Sequence, residues 1–170
     1  MKLLLSAEQI QTRIASLARQ IGVDYRDRPV TIVGVLTGSL MFLADLVRHL
    51  EVPLRIGFIQ ASSYRGPSTK PGELHIAPEL LPDVRDRHVL LLDDILDTGQ
   101  TLGYLVRHLR GQGVASVRVG VLLRKLGRQQ VVLEPEYIGF DIPNAFVVGY
   151  GLDYNDEFRQ LPYIAVLEEQ

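Results

Sequence analysis

The run Val89-Leu90-Leu91-Leu92, followed at once by Asp93-Asp94, constrains this chain more than any other feature. Four apolar residues in succession leave no polar face, so a strand built from them must be covered on both sides. Strands of that kind belong in parallel sheets flanked by helices. Val30 to Leu36, VTIVGVL, has the same character, apolar and β-branched on both parities. Ser116 to Leu123 and Leu54 to Ala61, the latter introduced by Pro53, are read as further strands. Helical periods lie between them. Ser6-Ala7-Glu8-Gln9 fits a capping box, and Ile10, Ile14, Leu17 and Ile21 make one apolar face, with Gly22 as the expected stop and the helix on the edge of the core. Met41, Phe42, Leu46, Val47 and Leu50 stripe a second helix, and Thr101 to Arg110 forms a third, closed by Gly111 and Gly113. Short apolar runs at Tyr137 to Phe140, Phe146 to Gly149 and Ile164 to Leu167 follow, separated by Pro143, Asn144 and Asn155. The order indicates an α/β core with a small appended lobe.

A length of 170 residues suits a single domain. The net charge of −2 offers nothing to a polyanionic partner, so nucleic acid is not expected. With no cysteine there is no disulfide, thiolate metal site or cysteine nucleophile. Met1-Lys2-Leu3-Leu4-Leu5 turns polar at Ser6, too soon for a signal peptide, and no apolar run is long enough to span a bilayer. A soluble cytoplasmic protein without a membrane partner is expected. Ser62 to Glu73, with two prolines, two glycines and three serines, is predicted to be a long mobile loop, and loops of that length in compact domains are usually functional or disordered.

Ligands of open α/β sheets bind beyond the carboxyl ends of the strands. There stands Leu92-Asp93-Asp94-Ile95-Leu96-Asp97-Thr98-Gly99-Gln100-Thr101, three carboxylates and a small-residue turn between a buried strand and a helix. Thr98, Gly99 and Thr101 can wrap amides and hydroxyls around a phosphate at a helix N-terminus. Asp93 and Asp94 suit sugar hydroxyls or a hard divalent cation, and Asp97 lies where it can accept a proton. A phosphorylated sugar satisfies all of these demands. Receiver domains carry acid pairs after a strand, but near the N-terminus and without a phosphate turn. Asp97-Thr98-Gly99 matches the aspartic-protease tripeptide, but in a single copy on an α/β pattern. Neither a Walker A sequence nor G-x-G-x-x-G is present. Ordinary solvated acids after a strand are the bland alternative.

Val89 to Leu102, VLLLDDILDTGQTL, resembles the phosphoribosyl pyrophosphate motif of the type I phosphoribosyltransferases. Tyr137 to Leu161 is similar to the purine-binding hood of their hypoxanthine-guanine branch. Leu36-Thr37-Gly38-Ser39 and Ser62-Ser63-Tyr64-Arg65-Gly66 correspond in order and spacing to the family's pyrophosphate loop and lid. The resemblance covers residues 3 to 168. It implies the type I fold, a twisted parallel sheet flanked by helices, as one domain over 1–170. The core would span about 22–135, and the hood about 136–170 together with the N-terminal segment.

The activity implied is transfer of a 5-phosphoribosyl group from phosphoribosyl pyrophosphate to a 6-oxopurine in purine salvage, with Mg2+. By resemblance Thr98, Gly99, Gln100 and Thr101 hold the 5′-phosphate, while Asp93 and Asp94 face the ribose hydroxyls directly or through magnesium. The family usually has Glu then Asp here, so Asp93 is one methylene shorter. Asp97 takes a proton from the purine imidazole nitrogen; its bland alternative is a helix N-cap. Lys125 meets the 6-oxo group, consistent with ammonium being a donor only, against the alternative of a solvated basic loop. Phe146 stacks on the base and Val147 reads its edge through backbone groups, although both residue types are ordinary core. Asp153 matches a magnesium-coordinating aspartate of the purine site. Thr37, Gly38 and Arg159 bind pyrophosphate, with Thr37 in place of a lysine or arginine that some members carry, and the Leu36-Thr37 peptide is expected to be cis. Ser63 and Tyr64 are the lid contacts. His49, His75, His88 and His108 match no motif position. A homodimer or homotetramer is expected. Two other classes compete: an RNA-binding regulator on the same fold, like a pyrimidine-operon attenuator, which would need a basic face, and a catalytically idle sugar-phosphate module, which would not need Asp97, Lys125 and Asp153 together.

Overall fold

The structure, a computed structural model, describes residues 1–63 and 74–168. Its centre is a five-stranded, all-parallel sheet in the order β3-β2-β6-β7-β8, formed by Leu54–Ile59, Val30–Val35, His88–Leu96, Ser116–Lys125 and Tyr137–Ile142. The two parities of each strand serve two cores. Ile32, Leu90 and Leu92 face one side, where Ile10, Ile14, Leu17 and Ile21 of α1 (Ala7–Asp24) and Phe42 and Leu46 of α2 (Leu40–Val47) cover them. Val33, Leu91, Val119 and Val121 face the other, under Leu102, Leu105 and Leu109 of α3 (Gln100–Arg110). A strand covered on both faces has no use for a polar parity, which is why the apolar runs are continuous.

The Ser6 capping box forms: its hydroxyl accepts from the Gln9 amide at 3.1 Å and the Gln9 side chain accepts from the Ser6 amide at 2.8 Å. Two expectations for α1 are corrected. It continues through Gly22 to Asp24, and its apolar face is fully buried in the core instead of lying on the edge.

A second, antiparallel sheet, β1-β10-β9, joins Lys2–Leu5, Ile164–Val166 and Val147–Val148. It unites the N-terminal strand with the C-terminal segment. Tyr137–Ile142, placed in the hood by the sequence reading, instead closes the main sheet beside β7. The predicted loop from Ser62 begins as structure: Ala61–Ser63 (β4) pairs antiparallel with Leu74–Ile76 (β5), and Leu54 to Ala61 is not one strand but ends at Ile59. Tyr104 of α3 donates to the Leu74 carbonyl at 3.2 Å and ties that pair to the main fold. Tyr64 and the rest of the expected lid lie outside the described residues, as does the Ser63 side chain. Among the described residues no helix is long and apolar enough to cross a membrane.

Candidate active site

The acids of the phosphate motif do not follow β6; Asp93 and Asp94 are part of it. The parallel ladder with β7 continues past the apolar run, pairing Asp93 with Val121 and Ile95 with Leu123, so the strand delivers both carboxylates at its carboxyl end. They are partly buried neighbours, and Asp93 accepts a hydrogen bond from the Asp94 amide at 2.8 Å. Desolvation, followed by the charge of Asp94, holds the Asp93 carboxyl well above the usual range. Asp94 is raised too, chiefly by desolvation, although its hydrogen bond with Asp93, the Ile95 amide and the Arg159 charge oppose the shift. A hard cation or a set of sugar hydroxyls is the kind of ligand such a pair accepts.

Leu96 then leads into the turn Asp97-Thr98-Gly99, with Gly99 left-handed at φ 85° as the N-cap of α3. Asp97 is therefore not the cap. At the opening of α3 the Gln100 amide reaches, among the described residues, only the Thr98 hydroxyl, at 3.4 Å, which leaves donors at a helix N-terminus for an anion.

Among the described residues Asp97 meets two cations. Lys125, the last residue of β7, places Nζ 3.4 Å from Oδ2, and Arg128 donates from Nε to Oδ1 at 2.9 Å. The Lys125 side chain is only 12% exposed, which removes the solvated-loop alternative. Desolvation pushes the Asp97 carboxyl up, but the Arg128 hydrogen bond and the charges of Lys125 and Arg128 together outweigh it and hold the group below its ordinary value.

The loop after β2 lies beside Asp94. The Leu36-Thr37 peptide is cis, as expected. Among the described residues neither the Thr37 nor the Gly38 amide donates a backbone hydrogen bond. Gly38 packs so closely on the Asp94 carboxyl that a side chain there would overlap it. Its carbonyl faces Gly151, which is equally crowded and sits at φ 97°. The Arg159 guanidinium donates to the Gly151 carbonyl at 2.6 Å and pairs with Asp153 at 3.2 Å. Behind this turn the Tyr150 hydroxyl donates to Asp45 of α2, a carboxylate also held by Gln11 of α1 at 2.9 Å.

Phe146 stands 50% exposed just before β9, so it is not core, and Tyr154 meets its ring edge-on at 5.7 Å. Val147 is buried and pairs with Val166. The structure thus gathers Asp94, Gly38, Gly151 and Arg159 in one cluster and Asp97, Lys125 and Arg128 in another. It does not bring Asp153 into a three-ligand group with Asp93 and Asp94; no such group of His, Asp or Glu occurs among the described residues. Sequence reasoning missed Arg128, Gly151 and the Asp45-Tyr150 contact. The doubled glycine of Gly149-Tyr150-Gly151 and the density of bases from Arg124 to Arg128 were the available signals. A cavity of about 620 Å³ between the end of α1 and residues 49–53 contains none of the candidate residues.

Residues 3–155 match the phosphoribosyl transferase domain. A hypoxanthine-guanine phosphoribosyltransferase of Mycobacterium tuberculosis is 44% identical, over 97% of this chain and 85% of the relative. One from Streptococcus pneumoniae is 41% identical, over 99% and 94%. The crystal structure of a hypoxanthine phosphoribosyltransferase from Staphylococcus aureus superposes with a TM-score of 0.92 at 39% identity, covering 99% of this chain and 91% of that one. The chain belongs to the hypoxanthine-guanine phosphoribosyltransferase family and has the type I phosphoribosyltransferase fold.

Proposed function

We propose that the chain transfers the 5-phosphoribosyl group of phosphoribosyl pyrophosphate to hypoxanthine or guanine, forming the nucleoside 5′-monophosphate and pyrophosphate. The observation that carries this reading is the pair Lys125 Nζ and Asp97 Oδ2, 3.4 Å apart. A 6-oxopurine presents O6 and the imidazole nitrogen N7 on one edge. An ammonium donor beside a carboxylate acceptor matches that edge when N7 carries a proton. Adenine would turn an amino donor toward a group that can only donate.

In this reading the base nitrogen attacks the anomeric carbon, the bond to pyrophosphate breaks, and the N7 proton passes to Asp97 Oδ2. Thr98, Gly99, Gln100 and Thr101 hold the 5′-phosphate, and Thr37, Gly38 and Arg159 hold the pyrophosphate. Phe146 stacks on the base, with Val147 at its edge. Asp93 and Asp94 face the ribose, where their charge also steadies the cationic character that develops at the anomeric carbon. Mg2+ fits the donor set: it favours oxygen ligands and typically takes one or two carboxylates plus substrate phosphates. Asp93, Asp94 and, separately, Asp153 are the residues that would hold it. When bound, it neutralises charge on the departing pyrophosphate. Ser63 and Tyr64 are assigned as lid contacts. Residues 1–170 act as one domain in the cytoplasm. The outer strand β3, with Ile56 45% exposed, offers a face for assembly into a homodimer or homotetramer. RNA regulation is not favoured at a net charge of −2.

The test is Lys125→Met. The expected result is a rise in KM for hypoxanthine and guanine of about tenfold or more, with KM for phosphoribosyl pyrophosphate nearly unchanged. Unchanged base kinetics would remove Lys125 from the purine site.

A further inference from the structure

Arg128 has no part in the mechanism above, yet it makes the shorter of the two contacts to Asp97. Its side chain is 42% exposed, and a pair so open to solvent adds little to stability. Its placement is nonetheless built into the fold. The Gln130 amide donates to the Thr98 carbonyl at 2.8 Å, Gln100 donates to the Gln130 side chain at 3.4 Å, and Val131 packs against Gly99. The segment that carries Arg128 is therefore docked on the turn that carries Asp97.

The two oxygens of Asp97 have different neighbours. Oδ1 receives a hydrogen bond of 2.9 Å from the guanidinium, whereas among the described residues Oδ2 has only Lys125 at 3.4 Å. The terminal torsion of an aspartate is broad and roughly two-fold, so a long contact on one oxygen leaves the carboxylate plane loose. A planar guanidinium on the other oxygen fixes it.

We propose that Arg128 is a positioning residue for the transfer reaction, anchoring Asp97 Oδ1 so that Oδ2 stands beside Lys125 and faces the imidazole edge of the incoming base. The proposal rests on the reading of Asp97 as the group that meets N7. Among the described residues Lys125 and Arg128 are the charged groups that face this carboxylate, and both favour its ionised form. An ionised, correctly aimed Asp97 is what accepting a proton from the base requires.

The test uses steady-state kinetics of the full chain with hypoxanthine and phosphoribosyl pyrophosphate. Arg128→Ala is expected to lower kcat about tenfold, with KM for phosphoribosyl pyrophosphate within about twofold of the unmodified chain and an unchanged unfolding midpoint. Millimolar guanidinium should restore part of the lost rate, and Arg128→Lys should retain only part of it, because an ammonium lacks the planar fork. In an Asp97→Asn background, Arg128→Ala should add nothing, because it acts through that carboxylate. If Asp97→Asn is slow while Arg128→Ala is as fast as the unmodified chain, or faster, the positioning role is wrong and the reading of Asp97 stands. Additive losses in the double variant would equally overturn it. If Asp97→Asn is itself fully active, the reading of Asp97 has failed, and the positioning role fails with it.

Discussion

Replacing Gly151 with alanine should damage stability and sugar-phosphate binding together. Gly151 sits at φ 97°, and placing a residue with a Cβ in so sparsely populated a region costs about 1–3 kcal/mol. The new Cβ would also overlap the Gly38 carbonyl, a backbone atom with no rotamer to change. Gly38 has little room to shift, because it is itself packed closely on the Asp94 carboxyl. Overpacking of this kind costs about 1–3 kcal/mol more. The combined loss, about 2–6 kcal/mol, corresponds at about 2–4 °C per kcal/mol to a fall in unfolding midpoint of about 4–24 °C for a chain of this length. Relief can come only by lifting the Gly149-Tyr150-Gly151 turn, which carries the carbonyl that holds Arg159. KM for phosphoribosyl pyrophosphate should therefore rise as well. Gly22→Ala is the control: it makes the same chemical change inside α1, where nothing lies within 4 Å, and should stabilise by about 0.5–1 kcal/mol. Thermal unfolding followed by circular dichroism, with initial-rate kinetics on the same samples, reads both effects. A Gly151→Ala chain that melts with the unmodified one and binds phosphoribosyl pyrophosphate equally well would refute this reasoning.

Asp93→Asn should trade activity for stability. The folded carboxyl is raised above its unfolded value, so the native state gains protons relative to the unfolded state and loses stability as pH climbs past about 4. The variant lacks that penalty; with chelator present it should melt higher than the unmodified chain at neutral pH, and the gap should close as the pH is lowered toward 4. Identical melting curves at pH 7 would contradict the shift. Asp97→Asn should fold normally and bind phosphoribosyl pyrophosphate while slowing the chemical step about 10²-fold or more, measured by single-turnover kinetics. A rate within about threefold of the unmodified chain would remove Asp97 from proton transfer.

The parts of the fold legible in the sequence are those whose signal is local. The doubly apolar strands at 30–35 and 89–92, the Ser6-Gln9 capping box and the glycine turn before α3 each announce themselves within a few residues. β1 does not, because Lys2–Leu5 becomes a strand only by pairing with Ile164–Val166 at the far end of the chain. The extension of β6 through Asp93 and Asp94 is likewise a property of its partner, β7, which outweighs the poor strand propensity of aspartate. At the site, the residues of the phosphate turn point to Asp97 and the family resemblance to Lys125, but only the folding back of residues 128–131 onto that turn shows that Arg128 shares the carboxylate. The packing of Gly38 between Asp94 and Gly151 is silent in sequence for a simpler reason: a glycine that is needed for space reads the same as a glycine that is needed for a turn.

The most direct measurement is nucleotide formation by the purified chain from phosphoribosyl pyrophosphate and, in separate reactions with and without Mg2+, hypoxanthine, guanine, xanthine and adenine, with the monophosphate products separated by chromatography. The arrangement of Lys125 beside Asp97 predicts inosine or guanosine monophosphate in the presence of Mg2+ and no adenosine monophosphate. Adenine used as readily as hypoxanthine, or no product from any base with Mg2+ present, would contradict it.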